Sequence, residues 1–541
     1  MNTAGSKRVR VDHASLDEMK QRDLEGKQLL RVRRRIQESK AMMRSNIGSR
    51  VIAKDKWRAF FTSSIFLMVA GMTALFFAGV VFAVFMGKIS GTIDLYAQRT
   101  ASIPLLLYVE GFIIGAITMA ILIILRQDEF LAIAAITINL YLDWYLGLAV
   151  VSELIAVVLL LIFCLARSPQ FPWVRPRALW LWSIFFVLTI FPTMRAPNFS
   201  DGAYYYITII FSAFVMFWLG TAIARDTKSV RRVFLFLSIF GTLIAIHTVI
   251  EHRTGVFLLK STHYDTQQVS SRAESFLKNA DSAGGFFAVM LFIPLGLFTE
   301  SSSLWKKVLH LAQMGLMLLA LLYTTSTGGW IAAFVGLCVF TVFVGYIRTH
   351  YVIVMPLLFL TAAILLLIFF PSQVAPQIQH AIDPQEVLLR NAVWQTGINV
   401  VRAFPLTGIG MGVDVYLVRS DPYRTFGQYE AVIHPHNSYL EFAALGGIPV
   451  LLVFMALLCY GLWKAVQNWR LSDTRGRSLL AGGIAAVLTL SFFSLSNAGW
   501  TLVPLVAIGW LLLGVTSSPF LSKNHNNETL HKNDETIVKN V

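Results

Sequence analysis

Residues 352–370 read VIVMPLLFLTAAILLLIFF, an unbroken apolar run with no charged or amide side chain. A helix rises 1.5 Å per residue and the hydrocarbon core of a bilayer is about 30 Å thick, so about 20 such residues cross it. Blocks of comparable length lie on both sides of this run. They are Ala59–Met86, Ile103–Leu125, Phe130–Leu146, Leu148–Leu165, Leu179–Met194, Tyr204–Ala224, Val233–Ile250, Phe286–Phe298, Val308–Tyr323, Trp330–Tyr346, Phe442–Leu462, Leu479–Leu495 and Leu502–Val515. Of the 541 residues 56% are hydrophobic and 14% charged, where a soluble domain has about 25% charged. In lipid only helices and closed barrels satisfy their own backbone polar groups, and blocks this long and uniformly apolar are helices. The expected fold is all-α: a polytopic integral membrane protein of about 14 transmembrane helices. Pro449 and Pro504 mark helix starts or kinks.

Lys and Arg positions test the helix count, because cytoplasmic loops carry an excess of them. With the N-terminus inside, the short inside loops hold 15 basic residues, the much longer outside loops 11, and 16 more precede the first span. An odd number of missed helices would invert this pattern. Both termini are therefore expected in the cytoplasm. The expected organisation is a basic segment 1–58, a transmembrane region 59–517 and a polar, disordered tail 518–541.

The net charge of +15 does not indicate nucleic acid. Most of the excess lies before the first span, with Arg31, Arg33, Arg34 and Arg35 in one cluster. Basic residues beside a membrane are attracted to anionic lipid, the expected partner here. Ser15-Leu16-Asp17-Glu18 is a capping-box pattern, so a largely polar helix is expected there. Cys164, Cys338 and Cys459 each fall within an apolar span and behave as small hydrophobes. With no Cys/His cluster, Asp-x-Asp pair, P-loop or dinucleotide fingerprint, neither a metal nor a cofactor is expected.

Two outside loops are long, 251–285 and 371–440, and long loops in compact proteins usually carry function. The second contains an amphipathic pattern, Val387, Trp394, Ile398 and Val401, with Arg390 one turn before Trp394. FPLTGIGMG follows at 404–412, then HPHNSYLE at 434–441, leading directly into a span. His436 has a pKa range suited to a general base. Arg272, Arg390 and Arg402 offer planar forks that match phosphate oxygens. A His before a helix is also commonly a cap or interfacial residue, and an outward Arg commonly meets lipid headgroups. Alternate glycines also serve simple turn geometry.

The segment HNSYLEFAALGGIPVLL, from His436, resembles the signature of the O-antigen ligase and Wzy-type polymerase family. RAESFLKNADSAGGF, with Arg272 and Asn279, is similar to that family's Arg…Asn motif. TTSTGGWIAAFVGL, with Ser326, is similar to its Ser-Arg-Gly helix start. LLRNAVWQTGINVVRAFPLTGIGMGV resembles its Arg-x-x-x-Trp…Pro-x-x-Gly-x-Gly loop. Two positions depart. Thr327 stands where the family often has Arg, and Leu445 where it often has Glu.

The resemblance implies a type C glycosyltransferase-like fold with a large outward loop, in the bacterial inner membrane. It further implies an inverting, metal-independent transfer from a glycan on undecaprenyl diphosphate. His436 would be the base and Arg390 and Arg272 the clamp on the leaving diphosphate. Asn437, Tyr439, Glu441, Arg402, Asn279 and Ser326 would orient or bind substrate. Glu441 could also hold the His436 tautomer. His434, separated by Pro435, is expected to have no catalytic part. Polymerisation of exopolysaccharide or O-antigen is favoured over ligation to lipid A core, with polysaccharide-assembly proteins as possible partners. A transporter of lipid-linked sugars or anions would place ionisable groups near the midplane. Glu110, Glu153 and His247 are the thin set available for that. A scaffold would need no His436.

Overall fold

The computed structural model describes residues 178–521, apart from 198, 255–271, 275–276, 278, 348, 370, 372–383, 429–431 and 433. The expected N-terminal helix, the first four spans and residues 522–541 lie outside the described residues, as do Cys164, Glu110 and Glu153. Described elements are helices throughout, with no strand among them. They are α1 (Leu179–Met194), α2 (Phe199–Tyr205), α3 (Ser212–Ile223), α4 (Thr227–Thr254), α5 (Ala280–Met290) and α6 (Phe292–Glu300). Then come α7 (Leu304–Thr324), α8 (Thr327–Gly345), α9 (Tyr351–Phe369), α10 (Pro384–Ala403) and α11 (Val415–Arg419). The last four are α12 (Ser438–Gly446), α13 (Ile448–Leu471), α14 (Thr474–Phe493) and α15 (Val503–Thr516).

Seven described stretches are long and apolar enough to cross a membrane: 201–223, 227–253, 280–300, 304–324, 327–345, 448–471 and 474–493. The chain is a polytopic integral membrane protein. Each stretch coincides with an apolar block read from the sequence, but two blocks are interrupted. α5 gives way to α6 at Leu291, beside Pro294, which has no N–H to donate to the preceding turn. The block expected as one span from Phe442 is broken at Gly447, whose φ of +86 ends α12 before Pro449 opens α13. The expected helix around Arg390 and Trp394 is present as α10.

Lipid supplies no hydrophobic drive between helices, so close backbone approach decides the packing. α3 lies against α15 at Gly220 and Gly514, where a Cβ on either would strike the other helix's main chain. Beneath the loops, Trp182, Phe442, Phe454, Trp500 and Trp510 form a fully buried aromatic cluster, with Phe442 stacked on Phe454 at 4.5 Å. Packing also continues past the expected start of the tail. Ser518 is buried and donates to the Thr221 carbonyl at 2.9 Å.

The short connections 224–226 and 301–303 share one end of the bundle, where Arg231 pairs with Glu300 at 3.3 Å. The start of α14 joins them, with Gly476 against Thr227. The opposite end carries the segment from Arg272, the start of α8 and the turn before α12.

Candidate active site

At that opposite end the N-termini of three helices gather, each capped by a residue of the sequence motifs. Asn279 accepts from the Asp281 and Ser282 N–H groups at 2.7 and 3.3 Å. Ser326 accepts from Gly329 N–H at 3.3 Å. Asn437 accepts from Tyr439 and Leu440 N–H, both at 3.0 Å. These side-chain oxygens satisfy donors that have no intrahelical partner. All three residues had been expected to bind substrate. Their visible work is to start α5, α8 and α12.

The three starts are stitched together. α5 and α8 meet where Gly284 lies against Ser326. Gly328 of α8 abuts Asn497, and the carbonyls of Asn497 and Ser494 accept the Ser438 N–H at 3.2 and 3.0 Å. Ser438 Oγ in turn accepts from Trp500 N–H at 3.0 Å. Thr327, at the family's Arg position, is simply the first residue of α8.

Arg272 is half-buried and held at two points: Nη2 donates to Asp281 Oδ1 at 2.6 Å and Nε to the Thr324 carbonyl at 3.1 Å. Through this pair Asp281 joins the candidate site, and an acid in the first turn of a capped helix is its signal in the sequence. Glu274, two residues beyond Arg272, donates its N–H to Glu251 Oε1 at 3.2 Å. Burial and the Glu251 carboxylate push the Glu274 carboxyl up to about 7, against the opposing pull of Arg272.

The turn before α12 is compact. His436 adopts φ +49, the left-handed region. Its N–H donates to Nδ1 of His434 at 3.2 Å, and the two rings meet edge to face at 4.5 Å. Burial, with His436 beside it, pushes the His434 imidazole down to about 3, while Asp281 acts in the opposite sense. His434 is thus part of this turn, not a bystander pointing elsewhere. Glu441 does not reach His436. It is buried in the core, where it accepts from Tyr205 Oη at 3.4 Å and from Thr501 Oγ1 at 2.7 Å. This replaces the expected Glu441–His436 contact, because one helical turn after the cap carries the side chain to the inner face of α12. Leu445, at the family's Glu position, is also buried.

The glycine loop is a clamp. Ile409 and Gly410 N–H donate to the Ala444 and Leu445 carbonyls at 2.9 and 3.0 Å, and Ile448 N–H returns to the Pro405 carbonyl at 2.8 Å. Met411 N–H donates to the Pro192 carbonyl at 2.9 Å, and the Asp201 carboxylate takes Val413 and Asp414 N–H at 2.9 and 3.2 Å. The N–H groups of residues 408–411 are all spent on protein carbonyls, so they form no phosphate cradle.

Beside the turn opens a groove of about 780 Å³, walled by α8, α10, α12, α13 and α14. Its lining is apolar, including Val339, Ile398, Leu440, Leu451, Met455 and Phe492, with Arg402, Asn437, Tyr439 and Ser491 as its polar members. Tyr439 donates to the Ser491 carbonyl at 2.7 Å. Arg402 is exposed, and Arg390 is half-buried on α10. Among the described residues no hydrogen bond or ion pair joins Arg390 to Arg272 or His436.

One segment of the chain is similar to the O-antigen ligase family. The family model described by that name matches residues 312–455. This O-antigen ligase match runs from within α7 into α13 and takes in Ser326, α10, the glycine clamp and the His434–Glu441 turn. Arg272 and Asn279 lie before it. Ligase and polymerase-type activity is a property of the matched family. No curated protein matches the chain.

Proposed function

We propose that the protein is a glycosyltransferase that polymerises glycan units carried on undecaprenyl diphosphate, at the outer face of the inner membrane. The observation that carries this reading is the groove. An apolar trough whose lining includes Arg402 and Asn437, the latter next in sequence to His436, suits a donor with a long hydrocarbon tail and a charged head. In this reading the tail lies along α12 and α13, and the diphosphate meets Arg402, Arg390 and Arg272. His436 takes the proton from an acceptor hydroxyl as that oxygen attacks the anomeric carbon from the face opposite the lipid diphosphate. The carbon–oxygen bond to the diphosphate breaks, the configuration inverts, and the imidazolium returns its proton to water. A diphosphate is already a good leaving group, so guanidinium charge serves it in place of a metal. Arg225, Arg231, Lys306 and Arg475 lie in or beside the connections at the opposite end of the bundle, which supports the outward placement of His436 and cytoplasmic termini.

The test is deletion of the gene followed by analysis of lipid-linked glycan. Single repeat units left on lipid mark a polymerase, and full-length chains stranded on lipid mark a ligase. Unchanged polysaccharide overturns the reading. Complementation with His436→Ala, at matched membrane levels, should fail, since a general base supplies about 10²–10⁴-fold in rate.

A further inference from the structure

The sequence Pro435-His436 poses a backbone problem. A β-carbon makes the left-handed conformation unfavourable, yet His436 sits there at φ +49. Pro435 has no N–H to help and restricts His434 to extended backbone. The His434 ring reaches forward two residues. Its Nδ1 accepts the His436 N–H at 3.2 Å, and its face-to-edge contact at 4.5 Å limits how the His436 ring can turn. We propose that His434 is a positioning residue, whose Nδ1 locks the turn that presents the His436 imidazole to the acceptor hydroxyl. The inference rests on the reading of His436 as the base.

An imidazole nitrogen accepts a hydrogen bond only when it carries no proton, so the arrangement requires neutral His434 with its proton on Nε2. The surroundings favour that form: burial and His436 hold the group well below its ordinary range, and Asp281, the opposing influence, is itself paired with Arg272. His434 therefore stays an acceptor throughout the neutral range and takes no part in proton transfer.

Asparagine separates this role from mere filling of space. Its Oδ1 occupies nearly the place of Nδ1 and bonds readily to an N–H two residues on. Glutamine sets its acceptor one carbon further out, and leucine has none. The assay uses purified full-length protein in lipid nanodiscs, with undecaprenyl-diphosphate-linked repeat units extracted from the deletion strain. His434→Leu and His434→Gln should lose about 10- to 100-fold in kcat, the scale of a misplaced reacting group. The KM for the lipid-linked donor should hold, and His434→Asn should stay within about threefold of the parent. Full activity in His434→Leu, or equal losses in the Asn and Gln variants, overturns the inference. Should the Leu variant fail to fold, the Asn and Gln pair decides the matter alone. His436→Ala runs beside them. If that variant keeps its activity, the base assignment fails. If it is inactive while His434→Leu is not, only the positioning role fails.

Discussion

Replacing Gly408 by alanine tests whether the glycine loop is a clamp on the α12–α13 junction. Gly408 has φ +60, and a Cβ there would overlap the Leu445 carbonyl group and crowd Gly446 N at 2.6 Å. Every atom in its way is backbone, so no side chain can swing aside. The residue would carry about 1–2 kcal/mol of left-handed strain. The loop would also have to lift, releasing the hydrogen bonds from Ile409 to Ala444 and from Gly410 to Leu445, each worth about 1 kcal/mol net. Together these make about 3–4 kcal/mol, or a fall in melting temperature on the order of 5–10 °C. Thermal unfolding of the detergent-solubilised protein, followed by intrinsic Trp fluorescence, measures it. Gly315→Ala is the control: it lies within α7, no atom stands within 4 Å of its added Cβ, and it should melt no lower than the parent. A Gly408→Ala melt within about a degree of the parent would refute the clamp and the strain argument together.

Glu274 predicts a pH dependence. Its carboxyl is raised to about 7 from an ordinary 4.5, so the protonated form is favoured in the fold. The stabilisation is fully present below about pH 4.5 and is lost as pH rises through about 7. It amounts to about 3 kcal/mol at most, less for the group's partial exposure. Glu274→Gln should flatten the decline in melting temperature between pH 5 and 8, and an unchanged slope would count against it. Arg272→Lys keeps the charge but loses simultaneous contact with Asp281 and the Thr324 carbonyl. Transfer should fall by about tenfold or more, and normal activity would make Arg272 a surface residue. Ile398→Asp places a charge on the groove wall and should raise the KM for the lipid-linked donor by at least about tenfold, since one buried methylene alone is worth about 0.8 kcal/mol. An unchanged KM would remove the groove from the donor site.

The helices were legible because their causes are local. Leu179–Met194 has the same bounds in the sequence as in the structure, and α10 follows the spacing of Trp394, Ile398 and Val401. Each rests on runs of apolar residues and on hydrogen bonds four residues apart, and lipid enforces both. The motif residues also share one end of the bundle, and their caps were legible because a cap such as Asn437 acts on its own next turn. The sequence alone therefore determined that this is a helical membrane protein, and where along the chain its candidate site residues lie. What they do there was decided by tertiary structure. Asp201 reaches Val413 across 212 positions and Tyr205 reaches Glu441 across 236. Glu441 therefore serves the core, and the glycines serve a junction between helices. Arg272 was identifiable as a cation but not its partner Asp281, nor was His434 identifiable as the partner of His436. Those pairings depend on which faces of the helices meet and on a backbone torsion at His436, and neither is encoded in any period of the sequence.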